Sequence, residues 1–406
     1  MSQPLPRIRM DLDFMPSPDP ERPGLFMRDP HQYTDAQLIV PPFLVPALEM
    51  FDGVTTDLDL KQWLVQSSGR LDVSDIQTQL TEALSAAGFL ENEVFEEMRD
   101  QVHQAFAEAP LRIAAHAGGA YPDSADEIRE VFGERFQALA PPRDPSPGLI
   151  GIAAPHVSPF GGWESYCDAY RALGPDVKDK TFVILGTSHY GEPEKFGLTR
   201  KPFLTPFGET AVDLAAIEEL AAAAPDATIM EDYCHATEHT IEFQVAFLQY
   251  LYGPGIRIAP VLCGPFARSL YEGGLPEDDE GVRRFLDALG ELHARRKSEI
   301  VWVLGVDMAH MGARYQDRFP AMAHQGEMLS VSARDKDRIA SIEKGDARGF
   351  WEQVQPRNDD LKWCGASPFY TFLKAVPEAR ARMLRYQHWQ IDPQSVVSFA
   401  AMEFTQ

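Results

Sequence analysis

The stretch "FVILGTSHYG", residues 182–191, opens as an apolar, β-rich run and closes, past a Gly-Thr-Ser turn, on His189. Its first half belongs inside a sheet, and its end carries a group that binds metals and protons. Two other stretches repeat the plan. "LIGIAAPHVS", residues 149–158, runs into His156, and "IVWVLGVDMAH", residues 300–310, runs into Asp307 and His310. Further strand-like runs follow in "IRIAPVL", "ARMLRYQHWQ" and "SVVSFAAMEF", with helical segments "AVDLAAIEELAAAA" and "EFQVAFLQYLY" between them. This alternation predicts a three-layer α/β domain around a largely buried sheet. Ligands of such domains sit beyond the carboxyl ends of the strands. If the three strands are neighbours, their terminal residues share one site. A lone histidine in such a loop commonly bonds a backbone carbonyl. Three at equivalent places argue for a joint metal or catalytic role. The strand-end glycines Gly151, Gly186 and Gly305 form neither GxGxxG nor a phosphate loop, so a nucleotide site is not indicated.

At 406 residues the chain is long enough for two domains. We divide it into a small domain, residues 1–108, and a large one, residues 109–406. The proline-dense "PPRDPSPG", residues 141–148, forbids helix and reads as a connection. In the small domain, "GLFMRDPHQYTDAQLIVPP" reads as paired short strands. "FLVPALEMFDG", "TTDLDLKQWLVQSSG" and "DVSDIQTQLTEALSAAGFL" read as helices stopped at Gly53, Gly69 and Gly88. Small helices beside a hairpin suggest a winged-helix-like module. Its candidate recognition helix, residues 73–87, holds no Lys or Arg, and the chain carries a formal charge of −24. Both argue against nucleic acid, whose phosphates require clustered cations. No run approaches the roughly 20 apolar residues of a membrane span, and the N-terminus lacks the apolar core of a signal peptide. The expectation is a soluble, cytoplasmic protein with no membrane partner.

Two other stretches compete for the chemistry. "HATEHTIEFQVAF", residues 235–247, spaces His235 with His239, and Glu238 with Glu242, so that either pair could share a helix face. It is not HExxH. The plainer alternative is a polar helix start, with Thr237 as N-cap and Glu238 favoured by the helix dipole. Cys364, in "LKWCGASPF", is one of four cysteines without CxxC spacing, so a disulfide framework or zinc ribbon is not expected. Taken alone, it reads as a buried thiol.

Seven pieces in order, "AHAGGAYP" (115–122), "AAPHVSPFGG" (153–162), "LGTSHYG" (185–191), "EHTIEFQVAFL" (238–248), "APVLCG" (259–264), "GVDMAHMG" (305–312) and "CGASPF" (364–369), give residues 110–406 a specific resemblance. They are similar to the Memo family, known in prokaryotes as AmmeMemoRadiSam system protein B. That family looks like the class III extradiol dioxygenases in fold. The resemblance implies His156, His189 and Cys364 as metal ligands, with Cys364 standing where the dioxygenases place a carboxylate. It further implies that Asp307 and His310 line the pocket and that Glu238 and His239 stand close by, so these four are the candidate catalytic residues. Where the family often has an aromatic after the first histidine and a second histidine after His189, this chain has Ser158, Pro159 and Phe160, and Tyr190. Those changes bear on the substrate.

Two imidazoles and a thiolate leave coordination positions open, as catalysis requires. Such donors suit Fe(II) first, with copper or zinc as alternatives. The implied function is a metal-dependent redox enzyme using oxygen on a small organic or modified-peptide substrate. The alternatives are a metal- or peptide-binding adaptor without turnover and, behind it, a zinc-type hydrolase. The small domain resembles PqqD-like domains through Asp52, Gly53 and Thr55 and through Leu84, Gly88, Phe89 and Leu90, which implies peptide binding or recruitment of a radical-SAM partner; a plain packing or oligomerisation role is the alternative.

Overall fold

The computed structural model describes residues 2–139 and 146–406. Residues 141–145 of the proline-rich connection therefore lie outside the described residues. The chain divides into two compact units, Met1–Glu108 and Ala109–Gln406.

The small unit carries a three-stranded antiparallel sheet of Asp13–Pro16, Leu25–Arg28 and Gln37–Val40. Leu25 is registered on Val40, as expected for the paired strands. The Asp52-Gly53 turn follows: one Asp52 carboxylate oxygen accepts the N–H groups of Val54 and Thr55 at 2.8 and 2.7 Å. The helix Asp57–Ser68 then opens on a reciprocal cap between Thr56 and Asp59 and stops at Gly69, whose φ of 68° favours glycine. Leu80 and Leu84 of helix Ser74–Ala86 enter the core with Met27, Leu60 and Phe89. Leu90 bridges to Ile8, and the chain continues as helix Glu93–Glu108. The sequence reading missed Arg9, which is 2% exposed. It pairs with Asp29 at 3.0 Å and lies 4.0 Å from the centre of the Phe95 ring. A buried guanidinium needs such partners to offset lost hydration.

In the large unit, four parallel strands lie side by side in the order Arg257–Cys263, Thr181–Thr187, Ile300–Gly305 and Leu149–Ala154. Gly305 is registered on both Gly186 and Ala154, so the strands that lead to His189, His156 and Asp307 end at one level. The condition set by the sequence reading is met. The sheet is mixed, because Ser395–Thr405 joins the Leu149–Ala154 edge antiparallel and pairs with Arg380–Asp392 beyond it.

Side chains alternate between two cores. Val183, Leu185, Trp302 and Leu304 face helices Leu214–Ala223, Glu280–Arg296, Glu327–Glu343 and Ala366–Ala375. Phe182, Ile184, Val301 and Val303 face helices Ala125–Ala138, Pro159–Tyr170 and Glu242–Tyr252. This is the three-layer α/β arrangement, each buried aliphatic contributing about 1.5–3 kcal/mol. Two strand-end glycines let another loop approach. A Cβ on Gly186 would meet Ile241 Cγ1 at 2.7 Å, and one on Gly305 would meet Gln244 Nε2 at 2.9 Å; both would also strike Thr240. Among the described residues, no helix is long and apolar enough to cross a membrane.

Candidate metal centre

Beyond the aligned strand ends, His156, His189 and His239 bring one ring nitrogen each to within 4.8 Å of the others, the only such set of His, Cys, Asp or Glu donors among the described residues. The His156 and His189 ring centres are 5.1 Å apart, and each lies 5.2 Å from that of His239. His156 is buried, whereas the His189 and His239 side chains are 29% and 32% exposed, so the cluster opens to solvent on one side.

The hydrogen-bond partners fix which nitrogen is available. His156 Nδ1 lies 2.9 Å from the Gly305 carbonyl oxygen, an acceptor, so Nδ1 carries the proton and Nε2 keeps its lone pair. His189 Nδ1 lies 3.1 Å from both carboxylate oxygens of Glu238 and is a donor for the same reason. Burial, followed by the neighbouring His189, holds the His156 imidazole well below its usual range, and burial does the same to His239. For His189, burial pulls downward and the Glu238 carboxylate outweighs it, so the imidazole is held up. Burial would raise Glu238, yet its carboxyl is drawn down to about 2, chiefly by His189.

Cys364 Sγ lies 3.1 Å from His156 Nε2. Two donors on one metal, with bonds of about 2.3 and 2.0–2.1 Å, stand about 3.1–3.6 Å apart at angles between 90° and tetrahedral, so this contact fits a shared ion. Burial, the larger effect, pushes the thiol up against its hydrogen bond with His189. Asp307 accepts the His156 N–H at 2.9 Å, and its second oxygen is 3.5 Å from His156 Nε2. Burial raises its carboxyl to about 7. His310 directs Nδ1 at the carbonyls of Met308 and Lys362, 2.9 and 3.1 Å away, which leaves Nε2 unprotonated. Burial, then His189, lowers it to about 4.

The seven site residues expected from the sequence thus lie at one end of the sheet, but the compact donor set is His156, His189 and His239, with Cys364 set against His156 and outside it. The polar stretch before Glu242 folds differently from its helical reading. His235 sits in the short turn Cys234–Thr237 and lies 3.0 Å from the Gly197 carbonyl, while His239 occupies a non-helical link. They share no helix face, and Thr237 caps nothing, because the helix opens at Glu242. Tertiary partners claim this segment: Thr240 donates to the Thr187 carbonyl at 2.9 Å, and Arg112 donates to the carbonyls of His235 and Glu238 at 2.7 and 2.8 Å.

Arg112 itself was missed. It is buried, pairs with the equally buried Glu242, and Glu242 also accepts from the His116 N–H at 3.0 Å and the Tyr121 hydroxyl at 2.6 Å. Its only sequence signal is a lone cation in an apolar stretch. His116 stands edge-on to His239, ring centres 5.5 Å apart.

Comparison with known proteins gives the family. A MEMO1 family protein of Aquifex aeolicus (strain VF5) is 23% identical over 410 residues, covering 98% of this chain and 99% of its own length. MEMO1 family proteins of Desulfurococcus amylolyticus and Thermococcus kodakarensis are 25% and 26% identical, covering 71% and 72% of this chain and 96% and 99% of their own. The profile of the family described as Memo-like protein matches residues 112–403, which span every residue of the site, and the chain belongs to that family.

Proposed function

We propose that the protein is a metal-dependent redox enzyme in which His156, His189 and Cys364 hold Fe(II) and His239 faces the remaining open side. One observation carries this reading: two neighbouring histidines have Nδ1 engaged by fixed acceptors, Gly305 O and Glu238, so that both offer Nε2 to a common point beside a cysteine sulfur. Outer acceptors of this kind orient metal-binding imidazoles and raise their basicity. Bound iron would supply an open position for oxygen and an electron source for its activation.

The chain's own groups supply proton handling. His310, neutral at pH 7 and tied at Nδ1, has Nε2 free to take a proton from a bound substrate. Asp307, its carboxyl raised to about 7 by burial, fixes the His156 backbone. The open side, with Tyr190 40% exposed next to His189, suits a small organic or modified-peptide substrate.

Metal analysis after anaerobic purification, followed by oxygen consumption with candidate phenols and peptides, tests the reading. Iron near one equivalent and substrate-dependent oxygen uptake are expected. Retention of the metal by His156→Ala or His189→Ala would overturn it.

A second element concerns the small unit, which we assign to peptide or radical-SAM partner recruitment. An apolar groove of about 340 Å³ runs between the edge strand Gln37–Val40 and the helix Ser74–Ala86, lined by Ile39, Phe43, Ile76 and Leu80. An edge strand beside an apolar groove can accept an extended peptide.

A further inference from the structure

Behind the centre, and outside every role assigned so far, lies a carboxylate with no exposed surface. Asp335, on helix Glu327–Glu343, is 0% exposed and forms no ion pair within the described residues. It accepts three hydrogen bonds instead, each 2.6 Å long, from Trp363 Nε1 to one oxygen and from the hydroxyls of Ser398 and Tyr386 to the other.

Each donor leads somewhere. Trp363 precedes Cys364, and its backbone N–H is held by Asp359 at 2.7 Å. Ser398 Oγ accepts the Ala309 N–H at 2.9 Å, while the Ser398 backbone bonds Ala309 O and Met308 N at 2.9 and 2.8 Å. Ala309 lies between Asp307 and His310, and the Met308 carbonyl is one of the two acceptors that fix the His310 tautomer. Tyr386 leads outward, its hydroxyl 3.0 Å from His388 Nε2. Because the His324 N–H donates to His388 Nδ1 at 3.2 Å, Nε2 carries the proton and faces two acceptors at 3.0 Å, the Tyr386 hydroxyl and Ser332 Oγ. The three side-chain donors that reach Asp335, Trp363 Nε1–H and the Ser398 and Tyr386 hydroxyls, all point inward to its carboxylate, which accepts from each. Such a buried, fully satisfied network fixes geometry, because losing one member strands the others without partners.

We propose that Asp335 is a positioning residue for the metal centre: with its two oxygens it ties the cysteine side, through Trp363, to the Asp307–His310 side, through Ser398, so that the two sides keep one spacing. The inference rests on the proposed metal centre. Outer-shell groups that orient ligands typically change metal affinity about 10–100-fold when replaced.

Titration of the full-length protein with Co(II) tests this, read by affinity, by the visible d–d bands and by the near-ultraviolet thiolate-to-cobalt band. Asp335→Asn, which puts an amide N–H against an existing donor, is expected to bind Co(II) about 10–100-fold more weakly with shifted bands. Trp363→Phe is expected to shift the thiolate band, and Ser398→Ala to weaken binding while leaving that band in place. Asp213→Asn, which breaks the ion pair with Arg296, serves as a destabilised control expected to keep wild-type affinity and spectra. Wild-type affinity and spectra in a folded Asp335→Asn protein would overturn the proposal and leave the metal centre standing. Should that variant not fold, unchanged titrations in both Trp363→Phe and Ser398→Ala would overturn it. The same shifts in the Asp213→Asn control would reduce the effect to general destabilisation, which also overturns it. Absence of Co(II) binding by the wild type would remove the metal centre and this inference with it.

Discussion

Glu238 grips His189 twice: one carboxylate oxygen accepts its backbone N–H at 2.7 Å and, at 3.1 Å, its Nδ1–H. The grip sets both the position of the loop and the direction of Nε2. Glu238→Gln keeps the shape and loses the charge, and we expect metal affinity to fall about 10–100-fold with the fold retained. Anaerobic Fe(II) titration of the variant checks this, and unchanged affinity would remove Glu238 from the centre.

Cys364 and His239 are the two candidates for the third ligand of the proposed centre. Exchange of a soft thiolate for a weakly ionised hydroxyl in Cys364→Ser should sharply lower metal affinity and abolish any thiolate charge-transfer band. His239→Ala should keep the metal and lose activity. Measured metal content with the pattern reversed would make the three imidazoles the ligand set.

For His310, replacement by Ala should leave metal content nearly unchanged and lower turnover about 10²- to 10⁴-fold, the usual worth of a general acid or base. Metal loss in that variant would reassign it as a ligand.

Acid stability follows from Asp213. Burial would raise its carboxyl, but Arg296 at 2.7 Å, Thr181 at 2.7 Å and the Ala216 N–H hold it below its usual value. With the folded value depressed, its contribution is present above about pH 4 and fades as pH falls through the folded value. Asp213→Asn should cost about 1.5–3 kcal/mol at pH 7, the range for hydrogen bonds to a charged group. Thermal melts of the two proteins should converge in acid, and a constant gap down to pH 2 would contradict the assignment.

Residues 109–406 expressed alone should retain the metal and lose the peptide or radical-SAM partner. Loss of both metal and fold would instead make residues 1–108 essential to the large unit.

The strands were legible because unbroken β-branched and aliphatic runs such as Phe182–Leu185 have no stable place except a sheet buried on both faces. His156, His189 and Asp307 were legible as a set because each stands a few residues past such a run. What escaped depends on contacts far apart in sequence. Arg112 meets Glu242 across 130 positions, and Asp335 meets Ser398 across 63. The helix predicted from Thr237 begins at Glu242 because Thr240 and the Glu238 carbonyl are engaged by other segments, and tertiary bonds outweigh the local capping preference. His239, adjacent to Glu238 in sequence, reached the cluster through that same displacement.

Gly186 and Gly305 carry no functional atom, yet Thr240 rests where their Cβ atoms would be, one residue beyond His239 and two beyond Glu238. The bare backbone at these two points therefore sets the clearance between the sheet and the loop that bears a candidate base and the carboxylate gripping His189. A single methyl group at either position would behave as an active-site lesion, displacing chemistry from a position that holds none. A functional scan of this chain would mark these glycines alongside the histidines, and the sheet would be the lever through which the damage travels.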